Sequence, residues 1–213
     1  MRAAIDLLNM AENKKIAVYG DYDCDGVTAT ALMYKYLKGR GADCIYYIPD
    51  RFSEGYGMNC DAVRHLKDLG VDLIITVDNG ISCYDEIALA NELGMTVVVT
   101  DHHIPPEKLP NAATIVDPHQ IDCPSSFKSI CGAEVAFKLI CALEVARICE
   151  TGLTEYEAQR KILLEYGDLV AIGTVADVMP IVDENRTIVS MGLKIIEARP
   201  RLGLSSLIEL SSN

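Results

Sequence analysis

Short β-branched runs alternate with helical stretches over the first two-thirds of the chain. The runs are KIAVYG (15–20), CIYYI (44–48), LIITV (73–77), TVVVT (96–100) and ATIV (113–116), each of strand length. Between them, residues 27–38, 61–69 and 84–93 carry helical periodicity. Gly39, Gly41, Gly70 and Gly94 fall where those helices would end, the position glycine favours at a helix C-terminus. Strand–helix–strand units of this kind make right-handed crossovers and parallel pairs. The predicted class is α/β, a mainly parallel five-stranded sheet flanked by helices.

After Gly132 the pattern changes. AEVAFKLICALEVARIC, TEYEAQRKILLEY, GDLVAIGTVADVMP and RTIVSMGLKIIEA all read as helices, and no strand pattern returns. The expectation is a helical C-terminal half packed on the sheet, with residues 1–213 forming one domain and no polar linker inside it. The stretch 104–130, with five prolines from Pro105 to Pro124, reads as loop around one short strand. The closing SSLIELSSN lies soon after a helix start and reads as a cut through a longer protein.

Composition narrows the class. Apolar residues are 50% and charged residues 23% of the 213, ordinary values for a globular chain. No apolar run approaches membrane length, and MRAAIDLLNMAENKK lacks the apolar core of a secretory signal. A cytoplasmic protein with no membrane association is expected. The net charge of −12 excludes a protein that holds nucleic acid by charge alone. Eight cysteines form no CxxC pair and no zinc spacing, so they read as reduced thiols.

The informative feature is where the acids fall. Ligands of an open parallel sheet bind outside the carboxyl ends of the strands, and three runs here finish on acids. The first enters Asp21, Asp23 and Asp25, the third Asp78, the fourth Asp101, His102 and His103. If Asp21, Asp23 and Asp25 are extended, they share one side. Two carboxylates at about 4 Å repel by roughly 1 kcal/mol in water and about 4 kcal/mol at an effective dielectric of 20. Gathering several at one edge calls for cations. Carboxylates mixed with imidazole suit Mn²⁺ or Mg²⁺, and a pair of ions follows from the number of acids. Asp177, alone in an apolar helical stretch, is a further candidate, because a buried acid is rare unless paired or metal-bound.

Blander readings compete. Asp-x-Asp-x-Asp-Gly opens a calcium-binding helix–loop–helix, but a strand precedes it here and Leu32 holds the position that loop reserves for Glu. Asp78-Asn79-Gly80 alone is an ordinary turn. His65 reads as a surface helix residue, His119 as a loop residue, and Asp117 as a turn cap rather than a ligand. Two adjacent histidines flanked by Asp directly after a strand are a poor structural choice and read as site residues.

In order, YGDYDCDGVTATA, TVDNGIS, VVVTDHH and GTVADVMPIVDENR resemble the four motifs of the DHH phosphoesterase family. PDRFSEGYG and CGAEVAFKL resemble its members that degrade single-stranded DNA. The resemblance runs through nearly the whole chain. It implies hydrolysis of phosphodiester bonds with two Mn²⁺ or Mg²⁺ ions, and a 5′→3′ exonuclease acting on single-stranded DNA with a 5′ end, alongside repair or replication proteins. Motif by motif, it makes Asp23, Asp25, Asp78, His102 and Asp177 metal ligands. It puts His103 toward the scissile phosphate, Asp101 behind an imidazole and Asp21 in support of the metals. Arg51 would grip the 5′-terminal phosphate, with Tyr56 nearby. Gly26 and Gly80 would let backbone approach the phosphate, and the helix starting near Val27 would point its amino end at the same edge.

The resemblance also implies a second, strand-clamping domain beyond these residues, and therefore weak processive activity for the 213 residues alone. Two positions depart from the family pattern. Tyr19 stands where members with small substrates carry His, and Glu134 stands where Gly is expected. The alternatives are a phosphodiesterase for cyclic dinucleotides or short oligonucleotides, a pyrophosphatase, and a non-catalytic scaffold that should have lost ligand acids. A receiver-type signalling module also places acids at strand ends, but it carries no DHH.

Overall fold

The computed structural model describes residues 1–11 and 13–211. The five runs form β1 (Ile16–Tyr19), β2 (Cys44–Tyr47), β3 (Leu73–Val77), β4 (Thr96–Thr100) and β5 (Thr114–Val116). They make one sheet in the order β2-β1-β3-β4-β5, with every pairing parallel. The α/β class read from the sequence is the fold observed.

Alternation decides which helix covers which face. Ile16, Val18, Leu73, Ile75, Val77 and Val98 enter one buried cluster, and Ala17, Tyr19, Ile74, Val97 and Val99 enter the other. Helices α1 (Arg2–Asn9), α2 (Cys24–Gly39), α5 (Gly132–Ala146), α7 (Glu155–Ala176) and α8 (Asp183–Ala198) supply the first, and α3 (Cys60–Asp68) and α4 (Tyr84–Glu92) the second. Short α6 (Ile148–Thr151) follows α5, and α9 (Leu202–Ser211) buries none of its side chains.

Three expectations change. TEYEAQRKILLEY and GDLVAIGTVADVMP are one helix, α7, started by a Thr154–Glu157 capping box and unbroken through Gly167. The first residues form α1, whose Ala4, Ile5 and Leu8 face the core. The chain also ends β1 at Tyr19 and enters α2 at Cys24, while a Cβ on Gly20 would overlap Thr30 Oγ1. Asp23 is therefore the N-cap of α2, its side chain accepting the Gly26 N–H, and Asp25 lies in the first helical turn. Asp21, Asp23 and Asp25 do not share a strand face.

The connection from β2 crosses back over β1 to β3, so the strand order reverses between β1 and β3. Splayed loops at such a switch point leave a crevice at the carboxyl ends. Asn79 closes its floor by donating to the carbonyls of Tyr19 (3.2 Å) and Val77 (3.0 Å).

Leu139 and Leu143 of α5 are fully buried in the first cluster, which α7 also enters. Leu139→Ala should cost about 2–5 kcal/mol, read as a lowered urea midpoint with an unchanged slope.

Candidate metal centre

Each strand end delivers its acid by a different local device. Asp78 follows β3 with φ 63°, a left-handed backbone that a non-glycine residue adopts at a cost of about 1–3 kcal/mol. The Asp78 N–H donates to the Thr100 carbonyl at 3.0 Å, which holds that conformation. Asp25 is buried at the amino end of α5, where its carboxylate accepts the N–H of Gly132 (2.6 Å) and of Ala133 (3.0 Å). Those are orphan donors of a helix terminus, whose dipole favours an anion. Asp101, after β4, is saturated. It accepts from Ile81 N–H (2.9 Å), His102 N–H (2.8 Å), His103 N–H (3.2 Å) and His103 Nδ1 (2.7 Å). Burial works against its charge, but the bonds to His103 and Ile81 hold its carboxyl below the usual range.

His102 is the centre of the arrangement. Its Nε2 lies 3.1 Å from Asp78 Oδ1, 3.7 Å from Asp177 Oδ2 and 3.9 Å from Asp25 Oδ2. Two donor groups result, Asp78–His102–His103 and Asp25–His102–Asp177, each with ligand atoms within 4.8 Å of one another. Asp78 Oδ1, Asp177 Oδ2 and Asp21 Oδ2 are buried oxygens with no hydrogen-bond partner. Burial, reinforced by Asp25, raises the Asp78 carboxyl well above its usual range. Burial alone would lower His102, but Asp78, Asp25 and Asp177 together raise it. Both shifts state one fact: the pocket draws in positive charge. Oxygen and imidazole donors with no thiolate among them suit Mn²⁺ or Mg²⁺.

The other sequence candidates fall into place around this core. Asp23 is exposed and spends Oδ1 on the Gly26 N–H at 2.8 Å; neither donor group among the described residues contains it or Asp21. Asp21 is fully buried beneath the centre and accepts the Gly57 N–H at 3.4 Å. Asp177 is the C-cap of α7, and 27% of its side chain is exposed, so it is not the buried mid-helix acid expected. His103, 47% exposed, turns its ring over Asp101, which raises it; Tyr56 Oη lies 3.3 Å from its Nε2 and donates to the Asp78 carbonyl at 3.2 Å. Arg51 stands on the loop between β2 and α3, exposed, with its guanidinium 5.4 Å from the centre of the Tyr22 ring.

Two glycines have close neighbours. A Cβ on Gly26 would meet Asp21 at 2.7 Å, and one on Gly80, at φ 110°, would meet Thr76 Oγ1 at 2.6 Å. Both glycines permit close internal packing. Tyr19 is fully buried, donating to the Gly57 carbonyl at 3.4 Å and accepting from Asn59. Glu134 is fully buried in the first turn of α5 beside Lys138 Nζ at 3.7 Å, and burial raises its carboxyl to about 7. Asp117, passed over as a ligand, is buried at the end of β5 with Oδ2 unpartnered, and burial lifts it to about 6. The main-chain donors of Gly132 and Ala133 were beyond sequence reasoning, since backbone N–H groups carry no residue signature.

Strand-end acids and the paired His102 and His103 thus gather at the carboxyl edge of a parallel sheet, in donor groups that could hold a metal ion. The chain belongs to the DHH family: the model of the DHH family, N-terminal domain, matches residues 15–174. More particularly, it is 46% identical over 213 residues to the single-stranded-DNA-specific exonuclease RecJ of Bacillus subtilis (strain 168), a match that covers 99% of this chain and 25% of that protein. It is 41% identical to RecJ of Thermus thermophilus, over 98% of this chain and 29% of the relative. Among solved structures, exonuclease RecJ bound to manganese superposes with TM-score 0.83 at 40% identity, covering 98% of this chain and 51% of that one. RecJ in complex with Mn²⁺ from Thermus thermophilus gives 0.77 at 38% identity, covering 98% and 29%. The chain thus spans between a quarter and just over a third of the RecJ proteins it matches. No helix among the described residues is long and apolar enough to cross a membrane.

Gly132 presses on the centre: a Cβ there would lie 2.4 Å from Asp78 Cβ and 2.5 Å from its Oδ1. Glycine to alanine in a helix ordinarily stabilises. Here Gly132→Ala should instead weaken Mn²⁺ binding by about 10–100-fold, the range for displaced ligand supports, measured by calorimetric titration.

Proposed function

We propose that this chain is the catalytic part of a 5′→3′ exonuclease that hydrolyses the phosphodiester bonds of single-stranded DNA with two divalent cations, Mn²⁺ or Mg²⁺. The observation that carries the reading is that Asp78 Oδ1 and Asp177 Oδ2, buried oxygens with no hydrogen-bond donor, both face His102 Nε2. Such oxygens are costly unless a cation completes them. The RecJ relatives, with manganese or magnesium in their structures, support the same assignment of substrate and metal.

Asp78, Asp25, Asp177 and His102 would hold the cations, with His103 able to join Asp78. When bound, the cations supply charge stabilisation at the phosphoryl oxygens and lower the pKa of the attacking water. The chain's own groups do the rest. The N–H groups of Gly132 and Ala133 fix the direction of Asp25. Asp101 accepts from His103 Nδ1, and that bond raises the imidazole, favouring its protonated form. His103 lies at the half-exposed side of the centre, where, when it does not ligate a cation, its ring would face a phosphate oxygen. Tyr56, whose hydroxyl burial and Asp78 hold un-ionised, steadies that ring. Arg51 would take the terminal phosphate through the fork of its guanidinium. A non-catalytic scaffold should have lost ligand acids, and every motif acid is present.

Asp78→Ala should lower Mn²⁺-dependent release of nucleotides from a 5′-phosphorylated single strand by about a thousandfold, the equivalent of several kcal/mol of transition-state stabilisation. Undiminished turnover in that variant defeats the proposal.

Metal binding should also be linked to protons. Asp78 and His102 are both raised, so at neutral pH the pocket retains protons that a cation must expel. Affinity for Mn²⁺ should rise as pH goes from mildly acidic to mildly alkaline and then level off. Calorimetry in buffers of different ionisation enthalpy reads the proton release; pH-independent binding contradicts it.

A further inference from the structure

Arg51 is an exposed cation in a chain of net charge −12, and its guanidinium makes no ion pair or hydrogen bond with any described residue. It rests instead on the face of Tyr22, 5.4 Å away. Tyr22 in turn meets Tyr56 edge-on (centroids 6.4 Å, 87°), and Tyr56 meets His103 edge-on (5.9 Å, 80°). Arg51 is thereby joined to His103 through two rings, while its hydrogen-bond donors stay unspent.

The loop carrying Arg51 fixes the backbone but not the side chain. Asp50 Oδ1 accepts from Phe52 N–H, Ser53 N–H and Ser53 Oγ, and Glu54 accepts from Asp50 N–H (2.7 Å), Asn59 (2.9 Å) and Tyr47 Oη (2.5 Å). Beyond Cα, an exposed arginine has several freely rotating bonds. With Asp21 and Asp23 close in sequence to Tyr22, collapse onto a carboxylate is the competing arrangement. A ring face holds the cation by its quadrupole without occupying an N–H. Tyr22 Oη has no hydrogen bond to any described residue, which leaves the ring as the working part.

We infer that Tyr22 is a positioning residue that aims the Arg51 guanidinium and so sets the preference for a 5′-phosphorylated over a 5′-hydroxyl end. This rests on the reading that Arg51 receives the terminal phosphate.

The test is binding of a hydrolysis-resistant phosphorothioate oligothymidylate, with and without a 5′-phosphate, to the 213-residue chain in Mn²⁺, followed by fluorescence anisotropy. Wild type should prefer the phosphorylated end. Tyr22→Leu should reduce that preference by about fivefold, the scale of one cation–π contact, whereas Tyr22→Phe should keep it. In an Arg51→Ala background, Tyr22→Leu should change the preference no further. An unchanged preference in Tyr22→Leu overturns the inference while leaving the nuclease reading intact. Equal weakening of both oligonucleotides overturns it in favour of Tyr22 touching a base. A wild type with no preference overturns the role of Arg51 and this inference with it, and the Asp78→Ala assay then judges the nuclease reading separately.

Discussion

Electrostatic repulsion among carboxylates is the constraint around which this structure is arranged. Asp25, Asp78 and Asp177 surround one imidazole within 4 Å, in a region where burial leaves little water to screen them. The fold meets part of that cost with fixed dipoles. The amino end of α5 addresses Asp25, and main-chain N–H groups of the 81–103 region address Asp101. What remains uncompensated is the inward-facing set of oxygens, and that residue of unmet charge is what the proposed chemistry uses.

The division of labour among the acids follows from the same electrostatics. Asp101 is satisfied four times over and holds a neighbour; Asp23 is spent on a helix cap; Asp21 lies below, packed against Gly26. Identical side chains after neighbouring strands thus have three separate duties, set by how many donors each meets. The left-handed turn at Asp78 belongs to this logic, since it swings that carboxylate from the end of β3 across toward His102.

Much of the fold was legible in the sequence because parallel strands buried on both sides leave continuous β-branched runs. All five runs became strands, and the glycines near 39–41, 70 and 94 stand at helix ends. Convergence of the acids on one edge followed from topology. The alternation rule fails at Asp21–Asp25 because β1 ends at Tyr19 and Asp23 and Asp25 are the N-cap and first turn of α2. Helix α1 is only eight residues long with three buried positions, too short to give a clear periodic signal. Asp177 was placed inside a helix because Val178, Met179 and Pro180 continue the apolar pattern beyond the last helical turn. The contacts of α5 with Asp25, more than a hundred residues apart in sequence, leave no local trace at all.

His102 contributes to both donor groups through a single ring nitrogen. One lone pair cannot serve two ions at once, so the two positions cannot fill independently. Without His102 the Asp78 position would still have His103, whereas the Asp25–Asp177 position would have oxygen alone, so the two positions should load with unequal strengths.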